Sequence, residues 1–106
     1  MDKCIFCSNE VIKNTIFENE KAFVVYDKYP QERGHMLIIP KRHSRNLFET
    51  TMAERVAILD LVDRVKMYLD EKYKPDGYNI LSNIEAIAGQ VIFHTHIHVI
   101  PRYTNS

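Results

Sequence analysis

The chain has 106 residues, 45% of them apolar, and its 14 basic and 14 acidic side chains give a formal net charge of zero. This length is typical of one domain, and we predict a single domain over residues 1–106. A net charge of zero argues against a general binder of nucleic acid or anionic membranes, which needs a basic surface. Four cations could attract a small anion, although each by itself is better explained as a solvated surface residue: Lys41, Arg42, Arg45 and Arg102.

Two features bear on the compartment. No apolar run follows a basic start, so we expect no secretory signal, and no run of about 18 apolar residues predicts a membrane span. The two cysteines, Cys4 and Cys7, have two residues between them, a spacing that suits a metal or redox pair better than a structural disulfide. We therefore predict a cytoplasmic protein with no membrane partner.

The first half of the chain alternates β-prone runs with turn residues. Residues 11–17 and Ala22–Tyr26 are two such runs. Residues 28–34 contain proline and glycine and predict a loop. Residues 35–39 are again apolar and β-prone, and Pro40 ends them.

A long helix is predicted next. Thr51 and Glu54 have the spacing of a capping box, which marks a helix start. Over roughly twenty residues, apolar side chains then recur every three or four positions and form one predicted core stripe. Its members are Met52, Val56, Leu59, Val62, Val65 and Leu69. A turn at residues 75–77 ends the helix, and residues 78–81 predict a short strand.

The order of these elements predicts the fold class. One long helix cannot supply the crossovers that a parallel sheet of five strands needs. We therefore expect an α+β fold with a five-stranded, mostly antiparallel sheet and one long helix packed on it.

The last predicted strand, residues 91–100 before Pro101, contains the chemistry. His94, His96 and His98 recur at every second position, so a strand directs all three to one face. One histidine there would be ordinary, but three in register, of five in the whole chain, indicate a functional site. The opposite face, predicted to enter apolar packing, is formed by Thr95, Ile97 and Val99.

A single metal ion held by all three histidines is the alternative to a division of roles. Neighbours on one face of a strand are about 6.6 Å apart, so His94 and His98 are about 13 Å apart. Ligand atoms on one zinc ion are at most about 4 Å apart, and three imidazoles spread over that length of strand cannot easily bring their nitrogens so close together. We therefore predict different roles for the three side chains.

His96, the central histidine, is the predicted nucleophile. A neutral imidazole has an ordinary pKa of about 6.5 and attacks phosphorus at neutral pH when its other nitrogen is held by a hydrogen bond. In-line attack on an α-phosphate gives a nucleotidyl-histidine that water then hydrolyses. We predict that His98, Gln90 and backbone N–H groups donate to the phosphoryl oxygens, and that His98 protonates the leaving group.

Two segments resemble the histidine triad (HIT) superfamily of nucleotide hydrolases and transferases. They are AGQVIFHTHIHVIPR at residues 88–102 and GHMLIIPKRH at residues 34–43, and the N-terminal CIFC is similar to the start of many bacterial members. The resemblance implies a five-stranded antiparallel sheet with a helix, often paired across a two-fold axis as a homodimer. It places His98 where the uridylyltransferase branch has glutamine, which favours hydrolysis.

The resemblance also implies roles for individual residues. The catalytic group is His96, His98, Gln90 and His35. The substrate-binding group is Asp27 at the ribose hydroxyls, Phe6 and Leu37 at the nucleobase, and Asn83 near the site. Val91 stands where the phosphoramidase branch commonly has serine.

A structural zinc ion is the one cofactor we expect, with no organic cofactor. Zinc takes four ligands in structural sites, and Cys4 and Cys7 supply only two. His43 and His94 match the histidines that complete the site in zinc-containing members. One alternative is two reduced thiols and two ordinary polar histidines. Another is a redox pair, which needs a following helix in a βαβ unit, whereas a β-rich run is predicted here.

Together these features predict a nucleotide hydrolase acting on a dinucleoside polyphosphate or a nucleoside phosphoramidate. The alternative is a nucleotide-binding or scaffold protein with incidental catalysis. Processing of DNA adducts or RNA caps would need basic segments, which this neutral chain lacks. The expected partners are a nucleotide and a second copy of the chain, with no nucleic acid.

Overall fold

The computed structural model describes residues 4–104. Five strands, two α-helices and three short 3₁₀ turns follow one another along the chain. In order they are the turn Ile5–Cys7, α1 (Asn9–Ile12), β1 (Phe17–Glu18), β2 (Ala22–Tyr26), β3 (Met36–Pro40), the turn Leu47–Glu49, α2 (Met52–Tyr73), β4 (Gly77–Leu81), the turn Ala86–Ala88 and β5 (Ile97–Arg102). Within these described residues, neither helix combines the length and apolar character needed to cross a membrane.

The strands form one antiparallel sheet in the order β1-β2-β3-β5-β4. This confirms the predicted α+β fold with a five-stranded antiparallel sheet and one long helix. β3 lies at the centre, and Leu37 on it is paired with His98 on β5. The last strand in sequence is therefore an inner strand of the sheet, which places the histidines beside the middle of the molecule.

Different elements pack on the two faces of the sheet. On one face, α2 packs on the larger apolar core, whose members are Ala22, Val24, Met36, Ile38, Ile58, Leu61, Val65, Leu69, Ile97 and Val99. On the other face, the N-terminal turn packs on a smaller core of Phe6, Phe23, Val25, Leu37 and Ile39. Phe6 therefore brings the cysteine-containing segment onto the face away from α2.

The ends of α2 agree with the sequence, but its core face does not. Thr51 and Glu54 form both bonds of the capping box, and Lys74 closes the helix in the left-handed conformation. Of the predicted stripe, Val65 and Leu69 are buried and Val62 is partly buried, whereas the first three members are exposed: Met52, Val56 and Leu59. The buried row begins instead with Glu54, Ile58 and Leu61. Both rows have helical spacing, and the sheet selects between them.

The predicted strand over residues 11–17 is wrong. The segment begins with α1, where the Ser8 hydroxyl accepts from the Val11 N–H at 3.4 Å and caps the helix, and only Phe17 is in a strand. A helical turn thus does follow Cys7, contrary to the reason given above against a redox pair. α1 leads into an antiparallel strand, so the βαβ context is still absent from the described residues.

The last strand begins later than predicted. Residues 91–96 are irregular, and β5 runs from Ile97 to Arg102 and includes Pro101. The ladder with β3 ends at Val99, so the proline lies where one side of β5 has no strand to bond.

Candidate functional site

Polar contacts, rather than sheet pairing, hold the segment before β5. The Thr95 N–H donates to the Ser44 carbonyl at 2.8 Å, and the two hydroxyls are 2.7 Å apart. Thr95 is buried but its hydroxyl is hydrogen-bonded to Ser44, whereas Ile97 and Val99 enter the apolar core. The Ser82 hydroxyl donates to the His96 carbonyl at 2.8 Å. These bonds bring the histidine segment against the loops that follow β3 and β4.

Among residues 4–104, one ring nitrogen of His96 has a hydrogen-bond partner and the other has none. Its Nδ1 lies 2.8 Å from the His94 carbonyl, which requires a proton on Nδ1 and leaves a lone pair on Nε2. The ring is buried, at 8% exposure, and the Phe6 ring meets it edge-on with centroids 5.0 Å apart. Burial lowers the pKa of His96, so the ring is neutral at neutral pH. This is the form that a nucleophilic histidine requires.

His98 and His35 form a hydrogen-bonded pair next to His96. The His98 ring lies 5.0 Å from the His96 ring, and His98 Nδ1 is 2.9 Å from His35 Nε2. Asp27 lies beside them, with Oδ2 3.3 Å from the same His35 nitrogen. Burial lowers the pKa of His35, and it lowers that of His98 to about 4. Both rings are therefore neutral at pH 7, with a carboxylate at their side.

The other residues predicted for the nucleotide lie at different places around this centre. Phe6 and Leu37 belong to the small core beside the histidines. Both amide hydrogens of Gln90 are donated to the Arg45 and Ile92 carbonyls, at 2.7 and 3.1 Å, so in this conformation it braces a loop. Its donation to a phosphate stays a prediction. Asn83 contacts the Gly89 carbonyl at 3.4 Å, and its role near the substrate likewise stays a prediction.

A second cluster contains four potential metal ligands whose ligand atoms all lie within 4.8 Å of one another: Cys4, Cys7, His43 and His94. The two ring Nδ1 atoms are 3.2 Å apart, and the sulfur-to-nitrogen distances run from 3.0 to 3.7 Å. The Sγ atoms are 2.6 Å apart. Burial is the largest cause that raises the pKa of Cys7 to about 11. The thiols are unpaired by any disulfide.

The donor set of this cluster fits a zinc ion. His94 Nε2 lies 2.8 Å from the Pro40 carbonyl, so Nε2 carries the proton and Nδ1 presents its lone pair to the sulfurs. Two thiols and two imidazoles are a common structural zinc set, and neighbouring ligands on one zinc ion lie about 3 to 4 Å apart. The nitrogen–nitrogen and sulfur–nitrogen distances fall in this range, whereas the two Sγ atoms would have to move apart from 2.6 Å to bind the ion. The four residues would hold the ion, and the ion would tie the N-terminal turn to the loop after β3.

Each of the four cations considered above as anion attractors has a carboxylate partner. Each lies in an ion pair: Lys41 with Glu18, Arg42 with Glu54, Arg45 with Glu85 and Arg102 with Glu32. Arg102 is also near enough to the histidines for its charge to contribute to the lowered pKa of His35, after burial.

Three contributors to the site were missed from the sequence. Ser82 and Ser44 hold the histidine segment through side-chain and carbonyl contacts, and Gln31 donates its backbone N–H to His35 Nδ1 at 3.1 Å. A serine near a catalytic segment has no distinctive pattern. A backbone N–H carries no residue signature, so no sequence signal could have found Gln31.

Comparison with known proteins agrees with this architecture. The HIT domain family model matches residues 8–105. A HIT-like protein from Mycoplasma genitalium is 40% identical over 103 residues, covering 94% of this chain and 73% of the relative. The adenylylsulfatase HINT3 of Arabidopsis thaliana is 38% identical, covering 93% of this chain and 52% of that protein.

Solved structures give the same result. A histidine triad nucleotide-binding protein from Sulfolobus tokodaii superposes with a TM-score of 0.90 at 37% identity, covering 97% of this chain and 71% of the other. A zinc-bound histidine triad protein from Mycobacterium smegmatis superposes with a TM-score of 0.86 at 31% identity, covering 98% and 78%. The sheet, the histidine segment and these matches together show that the chain belongs to the HIT domain family.

Proposed function

We propose that the protein is a nucleotide hydrolase that cleaves at the α-phosphate of a nucleoside 5′-phosphate derivative through a covalent nucleotidyl-His96 intermediate. The observation that carries the proposal is the state of His96. Its Nδ1–H is bound to the His94 carbonyl, its ring is buried and neutral, and its Nε2 lone pair is available for attack.

The reaction takes two displacements at phosphorus. In the first, Nε2 of His96 bonds to the α-phosphorus, and the bond to the leaving group breaks with its electron pair going to that group. In the second, water attacks the same phosphorus, the P–N bond breaks, and the nucleoside monophosphate departs, while the proton lost by water passes to solvent or a neighbouring base. His98 lies against His96, and in this proposal it donates to the phosphoryl oxygens or the leaving group.

The substrate class is proposed from the chemistry of the site and from one relative. Attack at the α-phosphate is compatible with any good leaving group on a nucleotidyl unit. The predicted classes are dinucleoside polyphosphates and nucleoside phosphoramidates, and the Arabidopsis relative named an adenylylsulfatase adds adenylyl sulfate. All three release a nucleoside monophosphate after hydrolysis of the same covalent intermediate.

The test measures turnover of diadenosine tetraphosphate, adenosine 5′-phosphoramidate and adenosine 5′-phosphosulfate. Wild type is compared with His96→Ala and His96→Gly, and the folding of both variants is checked by thermal unfolding. We expect loss of turnover in both, recovery of His96→Gly with added imidazole, and an adenylyl adduct on wild type after an acid quench, detected by mass spectrometry. Unchanged turnover in folded His96→Ala would discard the mechanism. Nucleotide binding with no cleavage would favour the scaffold alternative.

We also propose that Cys4, Cys7, His43 and His94 hold a structural zinc ion. The converging donor atoms support this, as does the relative from Mycobacterium smegmatis, whose structure is described as zinc-bound. We propose a cytoplasmic location, where thiols stay reduced and can bind a metal. Metal analysis of the purified protein should give one zinc per chain. Cleavage that persists when a chelator is present only during the assay would separate this role from a zinc-hydroxide mechanism.

A homodimer is the remaining proposal. β4 is an edge strand with Ile80 and Leu81 exposed, and these two side chains line the same groove as the exposed Leu59 of α2. Exposed apolar side chains beside an open strand edge favour pairing with a second copy. Sedimentation velocity should give a dimer for wild type and a monomer for Ile80→Asp. A monomeric wild type at micromolar concentration would contradict the proposal.

A further inference from the structure

Asp27 is much closer to the imidazole pair than a role limited to the ribose would require. Its Oδ2 lies 3.3 Å from His35 Nε2 and 3.9 Å from His98 Nδ1. Its other oxygen, Oδ1, accepts the Tyr29 N–H at 2.8 Å. The carboxylate is thus oriented by the loop that follows β2, with one oxygen on that loop and one on the histidines.

The hydrogen bonds around His35 determine which nitrogens carry protons. The Gln31 N–H donates to His35 Nδ1 at 3.1 Å, so Nδ1 is an acceptor and the neutral ring has its proton on Nε2. That Nε2–H faces His98 Nδ1 at 2.9 Å and Asp27 Oδ2 at 3.3 Å. His98 Nδ1 then accepts, and the proton of His98 is on Nε2. The carboxylate stabilises this arrangement because it faces the protonated nitrogen of His35.

A metal ion is the other way to read two histidines and a carboxylate, whose ligand atoms lie within 4.8 Å of one another. The backbone N–H of Gln31 argues against it. A metal at His35 Nε2 would require the ring proton on Nδ1, where it would oppose the Gln31 N–H. The hydrogen-bonded chain satisfies every one of these atoms, and the metal does not.

We propose that Asp27 is a positioning residue for the reaction, which acts through His35 to keep His98 as the tautomer with a proton on Nε2. This inference rests on the proposed function, and it assigns Asp27 a role that is independent of any contact with the ribose. No proton is transferred to or from Asp27 in this role. It holds the donor that His98 presents beside His96, and its loss lowers kcat rather than nucleotide affinity alone.

Asp27→Asn is the sharpest variant. The amide oxygen can keep the Tyr29 N–H, and the amide NH₂ then faces the Nε2–H of His35, donor against donor. Glu32→Gln is the matched control, because Glu32 is a carboxylate of the same loop whose side chain faces Arg102 at 3.8 Å instead of an imidazole.

The kinetic test uses adenosine 5′-phosphoramidate and its 2′,3′-dideoxy form as substrates for wild type and both variants. We expect Asp27→Asn to lower kcat by at least about tenfold with both substrates, with the two losses equal to within about threefold. Glu32→Gln should keep the kcat of wild type. If Asp27 binds only the ribose hydroxyls, the dideoxy substrate will erase the difference between Asp27→Asn and wild type, and the proposal is then overturned.

A second measurement is independent of turnover. Side-chain ¹⁵N chemical shifts of the substrate-free protein report which ring nitrogen of His98 carries the proton. Wild type and Glu32→Gln should have Nε2 protonated and Nδ1 unprotonated, and Asp27→Asn should have a different tautomer population. Identical populations in wild type and Asp27→Asn would overturn the positioning role. If wild type cleaves no substrate but the tautomer responds as expected, the proposed hydrolase activity fails while the role of Asp27 in holding the pair stands.

Discussion

Glu54 is a buried carboxylate at the start of α2, and Glu54→Gln is the perturbation whose effect the structure defines best. Its two oxygens accept from Nε and Nη2 of Arg42, both at 2.9 Å, and Oε1 also accepts the Thr51 N–H at 2.8 Å. The hydrogen bonds from Arg42 are the main reason that the pKa of Glu54 is lowered from its usual 4.5 to about 2. Gln keeps the shape and the capping bond but removes the charge.

The size of the effect follows from that pKa. One pKa unit corresponds to about 1.4 kcal/mol, so the charged form of Glu54 contributes about 3 kcal/mol to the free energy of unfolding. We expect about 2 kcal/mol, because the Arg42 side chain is 53% exposed and solvent screens the pair. For a chain of this length, that is a drop in Tm of roughly 10 °C.

Urea unfolding of both proteins at several pH values and one protein concentration measures the effect. A lowered carboxyl pKa contributes stability that is present above pH 4.5 and is lost as the pH falls towards 2, so the gap between wild type and Glu54→Gln should close over that window. Glu85→Gln is the control, since Glu85 makes the same two-bond contact with Arg45 in a pair that is half exposed. Equal losses in the two variants, or a gap that does not change with pH, would refute the reasoning.

Three further predictions concern the histidines, the thiols and a turn. Burial lowers the pKa of His98 to about 4, so this ring should stay neutral in an NMR titration down to pH 5, and a titration midpoint near 6.5 would contradict this. Because the unfolded chain takes up that proton first, the free energy of unfolding should also fall as the pH drops from 6.5 to 4. Cys7→Ser should lose most of the bound zinc in metal analysis and unfold at a lower temperature, whereas full zinc retention would remove Cys7 from the site. Gly34→Ala should lower the free energy of unfolding in urea by about 1–3 kcal/mol, because Gly34 has φ of 91° and an added Cβ would lie 3.1 Å from Tyr73. Gly77→Ala is the control and should change little, because an added Cβ there would have nothing within 4 Å. Equal effects of the two substitutions would refute the strain at Gly34.

Some of the site was predictable because a strand imposes a period of two. His98 is on β5 and His96 directly precedes it, and the two rings lie next to each other because Ile97 between them enters the core. His94 is two residues further back and belongs to a different cluster, with Cys4 and Cys7. The spacing of the histidines on a strand already indicated that they cannot all reach one ion.

Other features depended on contacts between distant segments. The pairing of His35 with His98 joins residues 63 positions apart, and the bond from the Gln31 backbone has no residue signature. The contacts of Gln90 with the Arg45 and Ile92 carbonyls exist only because two loops meet. Packing of those loops, which a single sequence does not encode locally, decides which predicted polar groups reach the histidines.

The amino-acid sequence by itself determined the elements whose signals are local: β2 at Ala22–Tyr26, the capped start of α2 at Thr51, its end near Lys74, and the antiparallel class of the sheet. Only the tertiary structure decided which row of α2 is buried, since the predicted row and the observed row, which begins with Glu54, both have helical spacing and the sheet accepts one of them. It also decided the proton positions on His35 and His98, because a tautomer is determined by the partners that folding brings to each ring nitrogen.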